Sequence, residues 1–176
     1  MTPLTPVQEK FILHWGTMGT QWGINRTVAQ IHALLFISPK PLPAEEIAAR
    51  LQVARSNVSN SLRELEAWGI IRTVSVMGDR RDHFESLKDV WELFRVVLEE
   101  RKRREFDPTL ALLRECVAEA GSNKADAFAL ERLNDLLGFF ETMGHWFDQV
   151  RKMPNSALQK FVKLGDKVFK LVGLTS

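Results

Sequence analysis

From residue 55 to residue 63 the chain carries Arg55, Ser56, Asn57, Ser59, Asn60 and Arg63, all able to form directional hydrogen bonds. Val58, Leu62 and Leu65 fall among and after them at spacings of four and three. A helix that buries those three turns the polar set outward. Arginine and asparagine can make paired hydrogen bonds to guanine and adenine edges, and serine suits phosphate or base contacts. Serine and asparagine are poor helix formers, so helix stability does not account for Ser56, Asn57, Ser59 and Asn60 lying so close together. Further on, Arg80 and Arg81 sit in a turn, where a basic hairpin can touch a minor groove or its flanking backbone. Arg72 adds a candidate phosphate contact between them. The chemistry these residues offer is recognition of double-stranded DNA.

The surrounding elements must hold those side chains out. Pro43 predicts a helix start, with Glu45 and Glu46 complementing the dipole in its first turn. Ile47, Ala48 and Leu51 form its apolar stripe, and Gln52-Val53-Ala54 makes the turn into a second helix over about 55–68. Gly69 closes that helix. Residues 70–76 are β-branched and alternate, 77–81 read as a turn and 82–85 as a short return strand, a two-stranded ribbon. Helix, turn, helix and ribbon in that order predict a winged helix-turn-helix within a mainly α fold, with N- and C-terminal dimerisation helices.

A first helix is expected over 5–20, with a break near 19–24, and a second from Asn25 to the Ser38-Pro39-Lys40-Pro41 stop. Beyond residue 87 the pattern is helical. One helix, carrying Val90, Leu93, Phe94, Val97 and Leu98, ends in the charged run 99–105. Asp107-Pro108 starts another that reaches Gly121. A long helix over about 126–153 has Leu130, Leu133, Leu137, Phe140, Met143, Phe147 and Val150 in one stripe, and a last one runs to about 172. The expected domains are an N-terminal helix (1–23), a winged helix-turn-helix (24–87) and a helical dimerisation and sensing region (88–176). The terminal helices are more apolar than one small domain needs, which predicts a homodimer and an imperfectly palindromic site.

With 176 residues, 45 % hydrophobic and 26 % charged, the chain has the composition of an ordinary globular protein. The net charge is only +2, so recognition must rest on where the arginines lie. No apolar run approaches the roughly 20 residues that span a bilayer, and the N-terminus lacks a secretory pattern. The single cysteine, Cys116, fits a reducing cytoplasm. His14, His32, His83 and His145 have no metal-ligand spacing, and no phosphate loop or nucleophile elbow is present. Neither an enzyme, a metal nor a cofactor is expected. The run Arg101-Lys102-Arg103-Arg104 reads as a solvated helix end. The basic amphipathic last helix, with Lys160, Lys163, Lys167 and Lys170, suits dimer packing better than a membrane surface.

The segment RSNVSNSLRELEAWGIIR, followed by GDRRDHFE, resembles the MarR-type winged-helix regulators and more closely their GbsR-like branch. The resemblance extends weakly over roughly residues 22–114. It implies a homodimeric transcription regulator, usually a repressor, whose DNA binding responds to a small-molecule effector. It also implies recognition through residues 55–63 and through Arg80 and Arg81. Members of the GbsR-like group include sensors of choline-like cations, and aromatic cages bind such cations. Trp22, Trp91, Phe139 and Trp146 are the candidate ligand residues. The pattern departs at Ala54, where such regulators commonly carry a capping serine, with Ser56 as the alternative cap. The competing reading is a winged-helix protein-interaction module without specific DNA binding.

Overall fold

The computed structural model describes residues 3–121 and 127–165, which divide into two compact units, 1–96 and 97–176. In the first, helix α1 (Pro6–Gln21) begins with a reciprocal cap: Gln8 N–H donates to the Thr5 hydroxyl, and Thr5 N–H donates to the Gln8 side chain. Helix α2 (Arg26–Ile37) starts where the Asn25 side chain accepts from Thr27 N–H, and it supplies most of the core. Val28, Ile31, Leu34 and Leu35 are buried along it. Gly19 lets α1 approach α2 closely, because a Cβ there would lie 2.5 Å from that of Ala29.

Helix α3 (Ala44–Leu51) and helix α4 (Arg55–Ala67) are joined by Gln52 in the left-handed conformation, followed by Val53 and Ala54. Leu42–Pro43 forms a short strand, β1, which the sequence reading missed; the expected ribbon is in fact a three-stranded sheet. Strand β3 (Asp79–Ser86) lies between β1 and β2 (Ile71–Val76), antiparallel to both. The return strand is longer than 82–85 and the turn shorter than 77–81. Met77 and Gly78 alone make it, with Gly78 at φ +84°, which glycine adopts without steric cost.

Helix α5 (Val90–Arg101), whose first turn is capped by the Asp89 carboxylate, carries the chain from one unit into the other. The expected stop at 99–105 and fresh start at Asp107 are overturned. A π-helical turn (Lys102–Phe106) leads without a break into α6 (Asp107–Gly121), and Asp107 itself is helical. Pro108 supplies the reason, since it has no N–H to donate and its ring crowds the carbonyl one turn back. The basic run 101–104 therefore lies inside a continuous helical stretch, its cations paired with Glu100, Glu105, Asp107 and Asp148.

Helix α7 (Ala127–Lys152) packs on α6, and Phe106 of the π turn stacks its ring on Phe140 of α7 at 4.9 Å and meets Phe147 edge-on at 5.4 Å. Helix α8 (Asn155–Lys163) follows Pro154 and buries Leu158. The rest of the expected last helix, with Lys167 and Lys170, lies outside the described residues. No described helix is long and apolar enough to cross a membrane.

Candidate nucleic-acid interface

Helix α4 buries Val58, Leu62 and Leu65 at 0, 2 and 1 % exposure, the three positions the spacing selects. Opposite them Arg55, Ser56, Asn57, Asn60 and Arg63 are exposed, and Ser59 is half-buried. The helix begins at Arg55, with Ala54 extended at the cap position and no side chain capping it. Ser56 lies inside the first turn and does not serve as the cap.

The bulge in the sheet determines how the wing arginines stand. Val74 pairs with His83 and Val76 with Asp79, so residues 80–82 of β3 lie opposite Ser75 alone. Extra residues in one strand bend it and redirect its side chains. His83 is buried beneath the bulge, and its Nδ1–H donates to the Arg81 carbonyl at 2.9 Å. Arg80 and Arg81 are accordingly strand residues and not the tip of the turn, which Met77 and Gly78 occupy.

These elements enclose a groove of about 400 Å³, bringing Arg55, Ser59 and Arg63 of α4 together with Arg80 and Arg81 of β3. Acids also stand on its walls, Glu45, Glu66 and Asp82, none of them among the expected DNA contacts. Glu45 was legible only as a dipole partner; its position beside Arg55 is a product of tertiary folding. A smaller polar cleft of about 220 Å³ lies between α4 and the start of α2, where Asn57 and Asn60 face Asn25 and Thr27. Arg63 connects the two faces, donating from Nη2 to the Asn60 side-chain oxygen at 2.6 Å. Arg72 stands apart from both, its guanidinium 2.7 Å from Glu85 on the neighbouring strand.

Most of the arginines are already held. Arg55 pairs with Glu45, and Arg81 with Asp79 through two nitrogens. Those contacts to Arg81 pull the Asp79 carboxyl well below the ordinary carboxylate range. The hydrogen bond at its own amide, and after it Arg55, lower that of Glu45. Arg80 makes no ion pair among the described residues.

The aromatic candidates fall in both units. Trp22, half exposed, meets Trp15 edge-on at 6.2 Å, and Trp91 meets Phe94 at 6.5 Å in the first unit. In the second unit Phe139 packs against Phe140, while Trp146 packs against Phe147 and lines a cavity of about 610 Å³ with Glu141, His145, Val150, Met153 and Phe161. Among the described residues no cluster of His, Cys, Asp or Glu is arranged to hold a metal.

Comparison with known proteins adds a likeness over part of the chain. Residues 22–82 match the model of the MarR family. The matched segment runs from the end of α1 through α4 and into β3, so the groove lies almost wholly inside the part of the chain that is similar to that family. A crystal structure described as that of a transcriptional regulator superposes with a TM-score of 0.64 at 19 % identity. The match covers 90 % of this chain and 99 % of that one, so the likeness in fold extends beyond residues 22–82. A mutant of S. aureus MepR bound to an oligodeoxyribonucleotide aligns over 74 % of this chain and 92 % of its own, at 21 % identity, with a TM-score of 0.39. No curated protein matches the chain.

Proposed function

We propose that the protein is a sequence-specific DNA-binding transcriptional regulator, a cytoplasmic homodimer that acts as a repressor on an imperfect palindrome. One observation carries this reading: Arg55, Ser59 and Arg63 of α4 share a groove with Arg80 and Arg81 of the wing. A helix entering the major groove then offers bidentate donors to base edges, while the wing reaches toward the adjacent backbone or minor groove. The MarR family match over 22–82 supports the same reading. The remaining donors are proposed as further base or phosphate contacts: Ser56 is exposed on the same helix, Asn57 and Asn60 line the neighbouring cleft, and Arg72 stands apart on β2. The protein-interaction alternative calls for an apolar patch here, whereas the groove walls are mostly charged and polar.

A small effector completes the proposal. Trp22 and Trp91 in the first unit, or Phe139 and Trp146 in the second, are its candidate contacts and a choline-like cation its chemical class, since aromatic faces attract desolvated cations. An effector that favours one dimer shape over another would shift the population competent to bind. A choline titration that moves neither melting temperature nor DNA affinity removes this ligand.

Selection from a pool of randomised duplexes tests the DNA reading. Enrichment of two related half-sites, their centres about 34 Å apart, is the expected result. A pool that stays random after repeated rounds would overturn it.

A further inference from the structure

Three of the four arginines of the groove, Arg55, Arg63 and Arg81, are restrained, each in a different way. Arg63 folds back on its own helix to Asn60 and to the Ser59 carbonyl, and Arg81 is held by Asp79 within its own strand. Arg55 is held from another helix: the Glu45 carboxylate, in the first turn of α3, reaches its Nη1. Arg55 is also the first residue of α4, where the helix dipole disfavours a cation, and α4 has no acidic residue of its own in that turn. Glu45 supplies the missing negative charge. It does so on the wall of the groove, where it also acts electrostatically on Arg81 of the wing.

We propose that Glu45 is a specificity-determining residue, a carboxylate that aims the Arg55 guanidinium and withholds it from phosphates on unrelated DNA. The inference rests on the DNA-binding reading above. A carboxylate beside an arginine competes with any incoming phosphate and repels it, so nonspecific contact through Arg55 gains little. A correctly placed base edge offers Arg55 two acceptors in a fixed direction, which a guanidinium already oriented by Glu45 can take without further ordering. Glu45 thus touches no base and acts through Arg55. The exposed pair adds little to folding stability, as surface ion pairs generally do.

Glu45→Gln, which keeps the shape and removes the charge, tests this against the selected duplex and a scrambled one, each titrated across salt. The variant is expected to bind the scrambled duplex about tenfold tighter, with a salt slope steeper by about one unit, while selected-duplex affinity changes much less. The same substitution in an Arg55→Gln background is expected to leave the ratio of the two affinities unchanged. An unchanged ratio in the single variant, or an equal change in both backgrounds, would overturn the role of Glu45. Indifference of the wild-type protein to duplex sequence would instead overturn the regulator reading beneath it.

Discussion

His32 Nε2 and the Ser86 hydroxyl lie 3.3 Å apart in the interior, joining helix α2 to the last residue of β3. Beside them the Lys88 ammonium donates to the carbonyls of Leu35, Phe36 and Ser38, the orphan acceptors at the end of α2. The strand that carries Arg80 and Arg81 is thereby tied to the core helix rather than left as a free ribbon. Burial first, and the nearby Lys88 second, push the His32 imidazole down from 6.5 to about 4.

That shift has a pH consequence of definite sign. The unfolded chain takes up the His32 proton near pH 6.5, but the folded chain does so only near pH 4. Stability from the neutral buried imidazole is therefore full above pH 6.5 and is lost as pH falls toward 4, by about 3 kcal/mol. Denaturant unfolding at pH 7.5 and pH 5 measures this, and His32→Gln is expected to flatten the difference. An equally steep acid loss in that variant would assign the effect to other groups.

On the proposed reading, stability and recognition separate along α4. Leu65→Ala is expected to cost 2–5 kcal/mol, as truncation of a fully buried leucine does. Asn60→Ala, on the exposed side, is expected to leave the melting temperature nearly unchanged while relaxing sequence preference by about 1–3 kcal/mol at one base position. Calorimetry and duplex binding on the same two proteins check both halves.

The α1–α2 contact gives a sharper comparison of two glycines. A Cβ at Gly16 would meet the Gln30 Cγ at 2.6 Å and the Arg26 Cγ at 3.2 Å, on side chains that can change rotamer, but at Gly19 it would meet the Ala29 Cβ at 2.5 Å, which moves only with its backbone. Gly19→Ala is expected to destabilise by about 1–3 kcal/mol through overcrowding, and Gly16→Ala by clearly less. Equal melting temperatures for the two variants would contradict the packing described.

Ala54 leaves the start of α4 without a side-chain acceptor. Ala54→Ser is expected to raise stability by about 1 kcal/mol, since its backbone already has the extended geometry of a capping residue. A thermal melt that does not rise would mean that water or a neighbouring group already satisfies those amides.

The sequence made α4 legible because its apolar spacing and its cluster of poor helix formers point the same way, and the buried Val58, Leu62 and Leu65 follow. It did not reveal β1, since Leu42 and Pro43 are too few to show a period and pair only because β3 lies beside them. Residues 79–81 have little strand propensity, and their place in β3 comes from the bulge and from pairing with β2. Asp107-Pro108 looked like a helix start because a cap and a first-turn proline are common there; with a π turn just before it, the same proline is accommodated in a continuous helix. The arginines were identifiable by type and Asp79 as a neighbour of the wing pair, but the carboxylate that holds Arg55 was not. Ion pairs between elements such as Glu45 and Arg55 are made by folding and leave no local pattern.

The central claim is that the α4 and wing arginines read a particular DNA sequence. Fluorescence anisotropy with DNA from upstream of the protein's own coding region, against a length-matched scrambled duplex across salt, tests it most directly. The account predicts a preference of about a hundredfold or more with dimer stoichiometry, and a salt slope lower by about one unit in Arg80→Ala. Equal affinity for both duplexes, or no binding at low salt, would contradict it.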